Sequence, residues 1–125
     1  MEAWRDQGKA FTNMILGIDY GDKWCGMATS EGSLAEPLKV VALNKIFAEV
    51  EKLKPEKIVV GISENNMAKK TLVFVNKLKV WTKSPVETVD ETLTSLEAEK
   101  IKSKDKEKQH AIAAALILQR YLDNI

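Results

Sequence analysis

A carboxylate at the end of an apolar run is the first pattern in this chain that could do chemistry. The run Ile15–Ile18 ends at Asp19, and Gly21 follows before a second apolar run over 25–28. This pattern predicts two hairpin strands with a carboxylate at the lip of the first strand. Because aspartate is depleted from strand interiors, its position at a strand end makes Asp19 a candidate metal ligand. A simple turn-forming aspartate is the alternative.

Two adjacent carboxylates, Asp90 and Glu91, end another short strand pattern and precede a helical one. Side chains alternate across a strand, so only one of the two is expected to point where Asp19 points. If the strands are parallel neighbours, these carboxylates share the carboxyl edge of the sheet, where α/β proteins place their sites. Converging carboxylates suit Mg²⁺ or Mn²⁺. Assistance to the helix N-terminus is the alternative role.

The single histidine, His110, begins an alanine-rich helical run and shares a stripe with Ala114, Ile117 and Tyr121. This run is apolar nearly all round, which predicts a helix buried against the sheet, and its small residues allow close approach. His110 is either a hydrogen-bonded structural residue or a third metal ligand. Neutral imidazole binds transition metals well and Mg²⁺ poorly.

Lysines are frequent near these segments. The run 100–108 interleaves lysines with acids, which is typical of a solvated face. Its last part lies just before the histidine, so contact with a nucleic-acid backbone is a second interpretation. The candidate nucleic-acid-binding residues are Lys23, Lys104, Lys106 and Lys108.

Composition limits the classes of function. The chain has 125 residues, enough for one core, and a net charge of +1, so nucleic-acid binding requires local basic patches. One cysteine, Cys25, excludes an internal disulfide and is best explained as a small buried residue in a reducing compartment. One histidine and one cysteine provide no zinc site, and no apolar run is long enough to span a bilayer. We expect a cytoplasmic monomer or weak homodimer with no membrane partner.

The elements that position these residues alternate along the chain. Strands are predicted over 14–20, 24–30, 36–42, 57–62 and 86–91, and helices over 43–54, 67–81, 93–102 and 106–122. Asn44 is the expected cap of the first helix and Pro55 ends it, while Asn65–Asn66 opens the second. In that second helix the expected buried face is marked by Leu72, Val75, Leu78 and Lys79. The order predicts a mixed sheet with helices on its faces.

The N-terminus carries no clear period. Residues 1–12, which include Trp4 and Phe11, are expected to form an N-terminal extension. Residues 13–125 are expected to form a single domain.

Taken together, these segments resemble the YqgF family, also called RuvX, whose members are described as pre-16S rRNA nucleases and are often labelled Holliday junction resolvase-like. The matching patterns follow one another in unbroken order through residues 14–124. They are the Asp-Tyr-Gly hairpin over 15–30, Glu-Pro-Leu over 36–38, the strand 58–61, the Asp-Glu strand with its helix start over 86–98, and the helix 113–122. The resemblance implies an RNase H-like α/β fold, a five-stranded mixed sheet with helices on both faces.

The resemblance also implies a catalytic centre of three carboxylates that hold divalent metal. The first falls on Asp19, and the second falls on the pair Asp90 and Glu91, with Glu91 favoured. The third falls where this chain has His110 in place of the usual aspartate. We therefore expect any activity to prefer Mn²⁺ over Mg²⁺ and to decline below roughly neutral pH.

These residues and the resemblance favour metal-dependent hydrolysis of phosphodiester bonds in structured nucleic acid, either precursor 16S rRNA or branched DNA. Asp19, Glu91 and His110 are the expected metal ligands. A catalytically impaired nucleic-acid-binding or ribosome-associated domain is the alternative, because Trp24 and the segment 63–65 also depart from the family pattern. A nucleotide-binding domain of the actin and sugar-kinase type is disfavoured, because it needs a second domain.

Overall fold

The computed structural model describes residues 14–62, 67–90 and 106–125, without the side chains of residues 67, 106 and 107. Five strands in these ranges form one sheet in the order β3-β2-β1-β4-β5. They are β1 (Ile15–Asp19), β2 (Trp24–Ser30), β3 (Glu36–Ala42), β4 (Lys57–Ile62) and β5 (Val86–Asp90). β1, β2 and β3 pair antiparallel, whereas β4 runs parallel to β1 and to β5. The predicted five-stranded mixed sheet is confirmed.

The α-helices of the described ranges follow the predicted order. They are α1 (Ile46–Leu53), α2 (Met67–Trp81) and α3 (Lys106–Asp123). The expectation that Asn44 caps a helix starting at residue 43 is wrong. Leu43–Lys45 form a 3₁₀ turn, and neither that turn nor α1 has a side-chain cap. The Leu43 amide donates to the Lys23 carbonyl instead, so a tertiary bond to the first hairpin holds this turn.

The first helix ends as the sequence predicts. α1 stops at Leu53, Lys54 takes a left-handed conformation with φ of 49°, and Pro55 follows. Three expectations lie outside the described residues, namely the helix over 93–102, the opening of α2 at Asn65–Asn66, and Glu91 as the last residue of the fifth strand.

Helices cover both faces of the sheet, as predicted. α1 and α2 cover one face over a core of mostly large side chains, Leu16, Ile18, Cys25, Met27, Ile46, Val50, Ile58, Val60, Phe74, Val75, Leu78 and Val86. α3 covers the other face over a smaller cluster, Ala28, Val59, Ala114, Ile117 and Leu118. No described helix is both long and apolar enough to cross a membrane.

α3 packs closely against the sheet, because two strand glycines leave room for the helix backbone. A Cβ added to Gly17 would lie 2.8 Å from the Leu118 Cβ and 3.0 Å from the Ala114 carbonyl oxygen. A Cβ added to Gly26 would overlap the carbonyl of His110. These contacts bring the start of α3 directly over the carboxyl end of β1.

Candidate active site

Asp19 occupies the last position of β1, at the carboxyl edge shared by the parallel strands β1, β4 and β5. Its partner across the antiparallel pair is Gly26 of β2. Gly17 packs under α3, so the alternation of β1 also turns Asp19 toward α3. The Asp19 side chain is largely shielded from solvent, with 14% of its surface exposed.

His110 meets this carboxylate from the first turns of α3. Its Nδ1 lies 3.2 Å from Asp19 Oδ2, and its side chain is 40% exposed. In the tautomer that carries its proton on Nδ1, the ring donates this hydrogen bond and Nε2 becomes the atom able to ligate a metal. The structure therefore brings together Asp19 and His110, the two predicted site residues that lie farthest apart along the sequence.

Two glycines that sequence reasoning did not assign to the site hold this pair in register. Gly26 lies opposite Asp19 and lets the His110 backbone rest on β2 without a side chain between them. A Cβ added to Gly21 would overlap the carbonyl of Trp24 and lie 3.8 Å from His110 Cε1, so the hairpin turn is also tight. The signal that could have found Gly26 is the pairing of a strand glycine with an alanine-rich helix.

The structure separates Asp90 from Asp19. On β5, Val86 packs with the α1–α2 core and Val89 packs with the α3 cluster. Asp90 follows Val89, so it lies on the α1–α2 face, opposite to Asp19. Glu91 lies outside the described residues, and its proposed position beside Asp19 stays a prediction.

The structure describes the side chains of two of the four lysines that the sequence predicts to bind nucleic acid. Lys23, in the turn between β1 and β2, and Lys108, in the first turn of α3, have exposed side chains near the Asp19 edge. Lys104 and the side chain of Lys106 lie outside the described residues. The sequence did not single out Lys70 of α2. Its Nζ lies 3.4 Å from both carboxylate oxygens of Asp22, which lies beside Lys23 in the turn between β1 and β2.

A family model described as "RuvX: Holliday junction resolvase" matches residues 13–124 of the chain. The chain belongs to the RuvX family. Among relatives, it is 33% identical to the "Putative pre-16S rRNA nuclease" of Desulforamulus reducens, over 88% of this chain and 96% of that protein. It is 32% identical to the protein of the same name from Streptococcus mutans, over 89% and 98%. The resemblance inferred from the sequence is therefore confirmed.

Solved structures place this RuvX-family chain in its fold class. Thermus thermophilus RuvC in complex with a Holliday junction substrate aligns with a TM-score of 0.59 and 15% identity, over 89% of this chain and 95% of that one. Fowlpox virus resolvase with Holliday junction DNA aligns with a TM-score of 0.61 and 10% identity, over 89% and 97%. At these identities the likeness shows the fold alone, and it confirms the predicted RNase H-like class.

The described part of this RuvX-family chain holds two of the three predicted metal ligands. Among described residues, no three His, Cys, Asp or Glu side chains come together as a metal-binding group. Asp19 and His110 supply one carboxylate and one imidazole, a donor pair that suits Mn²⁺ better than Mg²⁺. The donor chemistry of the pair therefore fits a divalent metal, and Glu91 would complete the set.

Cys25 takes no part in this chemistry. Its side chain is buried on the α1–α2 face of β2. Burial raises the pKa of the thiol to about 11, the Asp19 charge acts in the same direction, and a hydrogen bond from the Gly21 backbone only partly opposes them. The expectation of a small buried residue is confirmed.

Proposed function

We propose that this chain is a nuclease that hydrolyses phosphodiester bonds in structured RNA, with precursor 16S rRNA as its substrate. The observation that carries the proposal is the Asp19 carboxylate, held at the carboxyl edge of the sheet against His110 Nδ1 at 3.2 Å. Relatives that are 32% and 33% identical carry the corresponding name. The fold is shared with resolvases solved with branched DNA, which supports a phosphodiester substrate and makes branched DNA the competing substrate.

Asp19 and Glu91 would hold a divalent metal at this edge. His110 would join them as the third ligand by giving up its hydrogen bond to Asp19, because Nε2 faces away from the carboxylate that Nδ1 contacts. When bound, such a metal stabilises charge on the scissile phosphate and lowers the pKa of water. In the structure, His110 orients the Asp19 carboxylate by donating Nδ1–H to Oδ2. The other oxygen, Oδ1, is then the atom that would ligate the metal. Lys23 is exposed in the adjacent turn and would contact a substrate phosphate.

A catalytically impaired RNA-binding domain is the second candidate. The observation that favours it is the same hydrogen bond, because a histidine paired with Asp19 stands where the family pattern has an acid. In this case His110 would hold Asp19 as a structural pair, and the exposed lysines would carry the binding.

The deciding experiment compares Asp19→Asn with Asp22→Asn in a cleavage assay on precursor 16S rRNA with Mn²⁺. Asp19→Asn should lower cleavage by about a hundredfold or more, the scale of losing one preorganised charged group, while the fold is retained by circular dichroism. Asp22 is an exposed carboxylate three residues away that pairs only loosely with Lys70, so Asp22→Asn is a matched control and should cleave within about twofold of wild type.

Equal cleavage by Asp19→Asn and wild type would reject the site. Binding of the RNA by a wild-type chain that cuts neither the RNA nor branched DNA would favour the second candidate. Cleavage of branched DNA alone would keep the nuclease and exchange its substrate.

A further inference from the structure

A groove lies at the end of α2 that is farthest from Asp19. Two cavities of about 600 Å³ and 680 Å³ meet there, and Trp81 lines both. The first cavity is apolar, with Phe47, Val73 and Val80 beside Trp81. The second lies between the end of α1 and the start of β5, and Glu56 forms part of its wall. We call the two cavities together the Trp81 groove.

The first cavity of the Trp81 groove has apolar and exposed walls, whereas charged residues such as Glu51, Lys54 and Lys83 line much of the second. Val80 is 89% exposed, Val73 is 53% exposed and Trp81 is 47% exposed. Single exposed apolar residues are ordinary, but a contiguous patch of them in a concave surface marks a site that another segment covers. The Phe47 and Trp81 rings pack together with centroids 5.6 Å apart, which gives the groove a preformed aromatic wall.

Hydrogen bonds fix the second cavity in shape. The Ser84 hydroxyl donates to the Pro55 carbonyl at 2.6 Å, and the Thr82 amide donates to the Leu78 carbonyl at 2.8 Å. The Ile58 amide donates to Pro85 at 2.9 Å and ties this wall to β4. Because these bonds already hold the wall of the cavity in place, a segment that binds there pays little conformational entropy to order the wall.

The N-terminal segment joins the described chain at the rim of this groove. The Glu56 amide donates to the Met14 carbonyl at 2.8 Å, and Glu56 lines the second cavity. Thirteen residues precede Met14 and include Trp4 and Phe11. A chain of this length spans up to roughly 45 Å when extended, more than the roughly 22 Å length of α2. The family match begins at residue 13, so residues 1–12 lie outside the part that the family model covers.

We propose that residues 1–13 dock into the Trp81 groove of their own chain. The segment carries two large aromatic residues, Trp4 and Phe11, whose apolar surface suits the first cavity around Val80. This intrachain docking removes from water the apolar patch that the described residues leave exposed, and it stands whether or not the Asp19 site cleaves nucleic acid.

A photo-crosslinking experiment on the full chain tests where the segment lies. Val80 is replaced by p-benzoylphenylalanine, and crosslinked peptides are identified by mass spectrometry. The expected product is an intrachain crosslink between position 80 and residues 1–13. A crosslink between two copies, or to any other part of the chain, would overturn the proposal. The same amino acid at Leu34, which is 68% exposed in the turn after β2, is the matched control and should not crosslink to residues 1–13.

Thermal unfolding of the full chain gives an independent test. Phe11→Ala and Val80→Asp should each lower the melting temperature by about 3 °C or more, and the double variant should fall no further than the larger single change. Leu34→Asp should change the melting temperature by less than about 1 °C and should add to Phe11→Ala. An unchanged melting temperature for Phe11→Ala, or additive losses for Phe11→Ala and Val80→Asp, would contradict docking.

Discussion

Two polar clusters join the sheet to α3, one at each end of the strands. At the amino edge, Lys57 Nζ lies 2.6 Å from Glu87 Oε2 and donates to the Tyr121 hydroxyl at 2.7 Å. At the carboxyl edge, Asp19 meets His110 at 3.2 Å. Both clusters pin α3 to strands of the same sheet, and they differ in how their charge is balanced.

The amino-edge cluster is internally neutralised. The Glu87 carboxylate and the Tyr121 hydroxyl both raise the pKa of Lys57, so the ammonium is charged throughout the physiological range. Asp19, in contrast, has no lysine or arginine within ion-pair distance among the described residues. We therefore interpret the amino-edge cluster as structural and the carboxyl-edge pair as part of the proposed metal site, where an external cation would balance the Asp19 charge.

The largest effect should come from filling the space beneath His110. Gly26→Ala places a Cβ against the His110 carbonyl, so α3 or β2 must move. We expect a loss of about 3 kcal/mol in the free energy of unfolding, because overpacked backbone cannot relax as a flexible side chain can. Cleavage should fall with it, since His110 then leaves Asp19. Urea unfolding monitored by circular dichroism measures the loss.

Gly32→Ala is the matched control for this change. A Cβ at Gly32 meets nothing within 4 Å, so its cost should stay below about 0.5 kcal/mol. Equal destabilisation by the two substitutions would mean that α3 does not rest on β2 at Gly26.

His110→Asp should convert the borderline site into an all-oxygen one. A second carboxylate beside Asp19 favours a hard cation, so Mg²⁺-supported cleavage should rise by about tenfold relative to Mn²⁺-supported cleavage. Titration of wild type and variant with each metal measures the change. An unchanged ratio of Mg²⁺ to Mn²⁺ activity would leave His110 as a structural partner of Asp19 alone.

Lys57→Met should affect stability slightly and cleavage not at all. The pair with Glu87 is partly solvent-exposed, so its loss should cost about 0.5–1 kcal/mol. The pKa of Lys57 is raised in the folded chain, so its contribution is fully present below the unfolded pKa and is lost only in strong alkali. The cost should therefore be equal at pH 6 and pH 8. A drop in cleavage with unchanged stability would join the two clusters into one functional unit.

The proximity of Asp19 and His110 is predictable from the sequence, because strand ends and helix starts are marked by residue type. Their role as metal ligands stays a prediction. Alternation along β5 explains why Asp90 lies on the other face. Gly26 was not assigned to the site, because the cost of a Cβ depends on how closely another element approaches. That distance is a tertiary quantity with no signal in β2 alone.

The buried face of α2 shows the same limit. The predicted face is right at Val75 and Leu78, which are buried. It is wrong at Leu72, which is 47% exposed, and at Lys79, which is also exposed. Thr71 and Phe74 are buried in their place. The predicted face, which includes Leu72, and the buried face, which includes Thr71 and Phe74, both fit a helical period. Only the packing of α2 against β4 and β5 decides which of them is buried. Val80 and Trp81 lie outside the predicted face, and the concave shape of the Trp81 groove depends on where α1 and β5 pack beside them, which the pattern of α2 alone does not predict.

The reactivity of unmodified Cys25 tests whether chemistry at this edge is confined to the α3 face. Cys25 lies one residue before Gly26 but points into the α1–α2 core, and burial raises its pKa to about 11. At pH 8 only about one thiol in a thousand is then ionised, so the native protein should react with a thiol reagent at least ~100-fold more slowly than the denatured chain. Stopped assays with a chromogenic disulfide measure both rates. Rapid labelling of native protein would mean that β2 opens at the site, and the contrast between a held carboxylate on one face and an inert core on the other would fail.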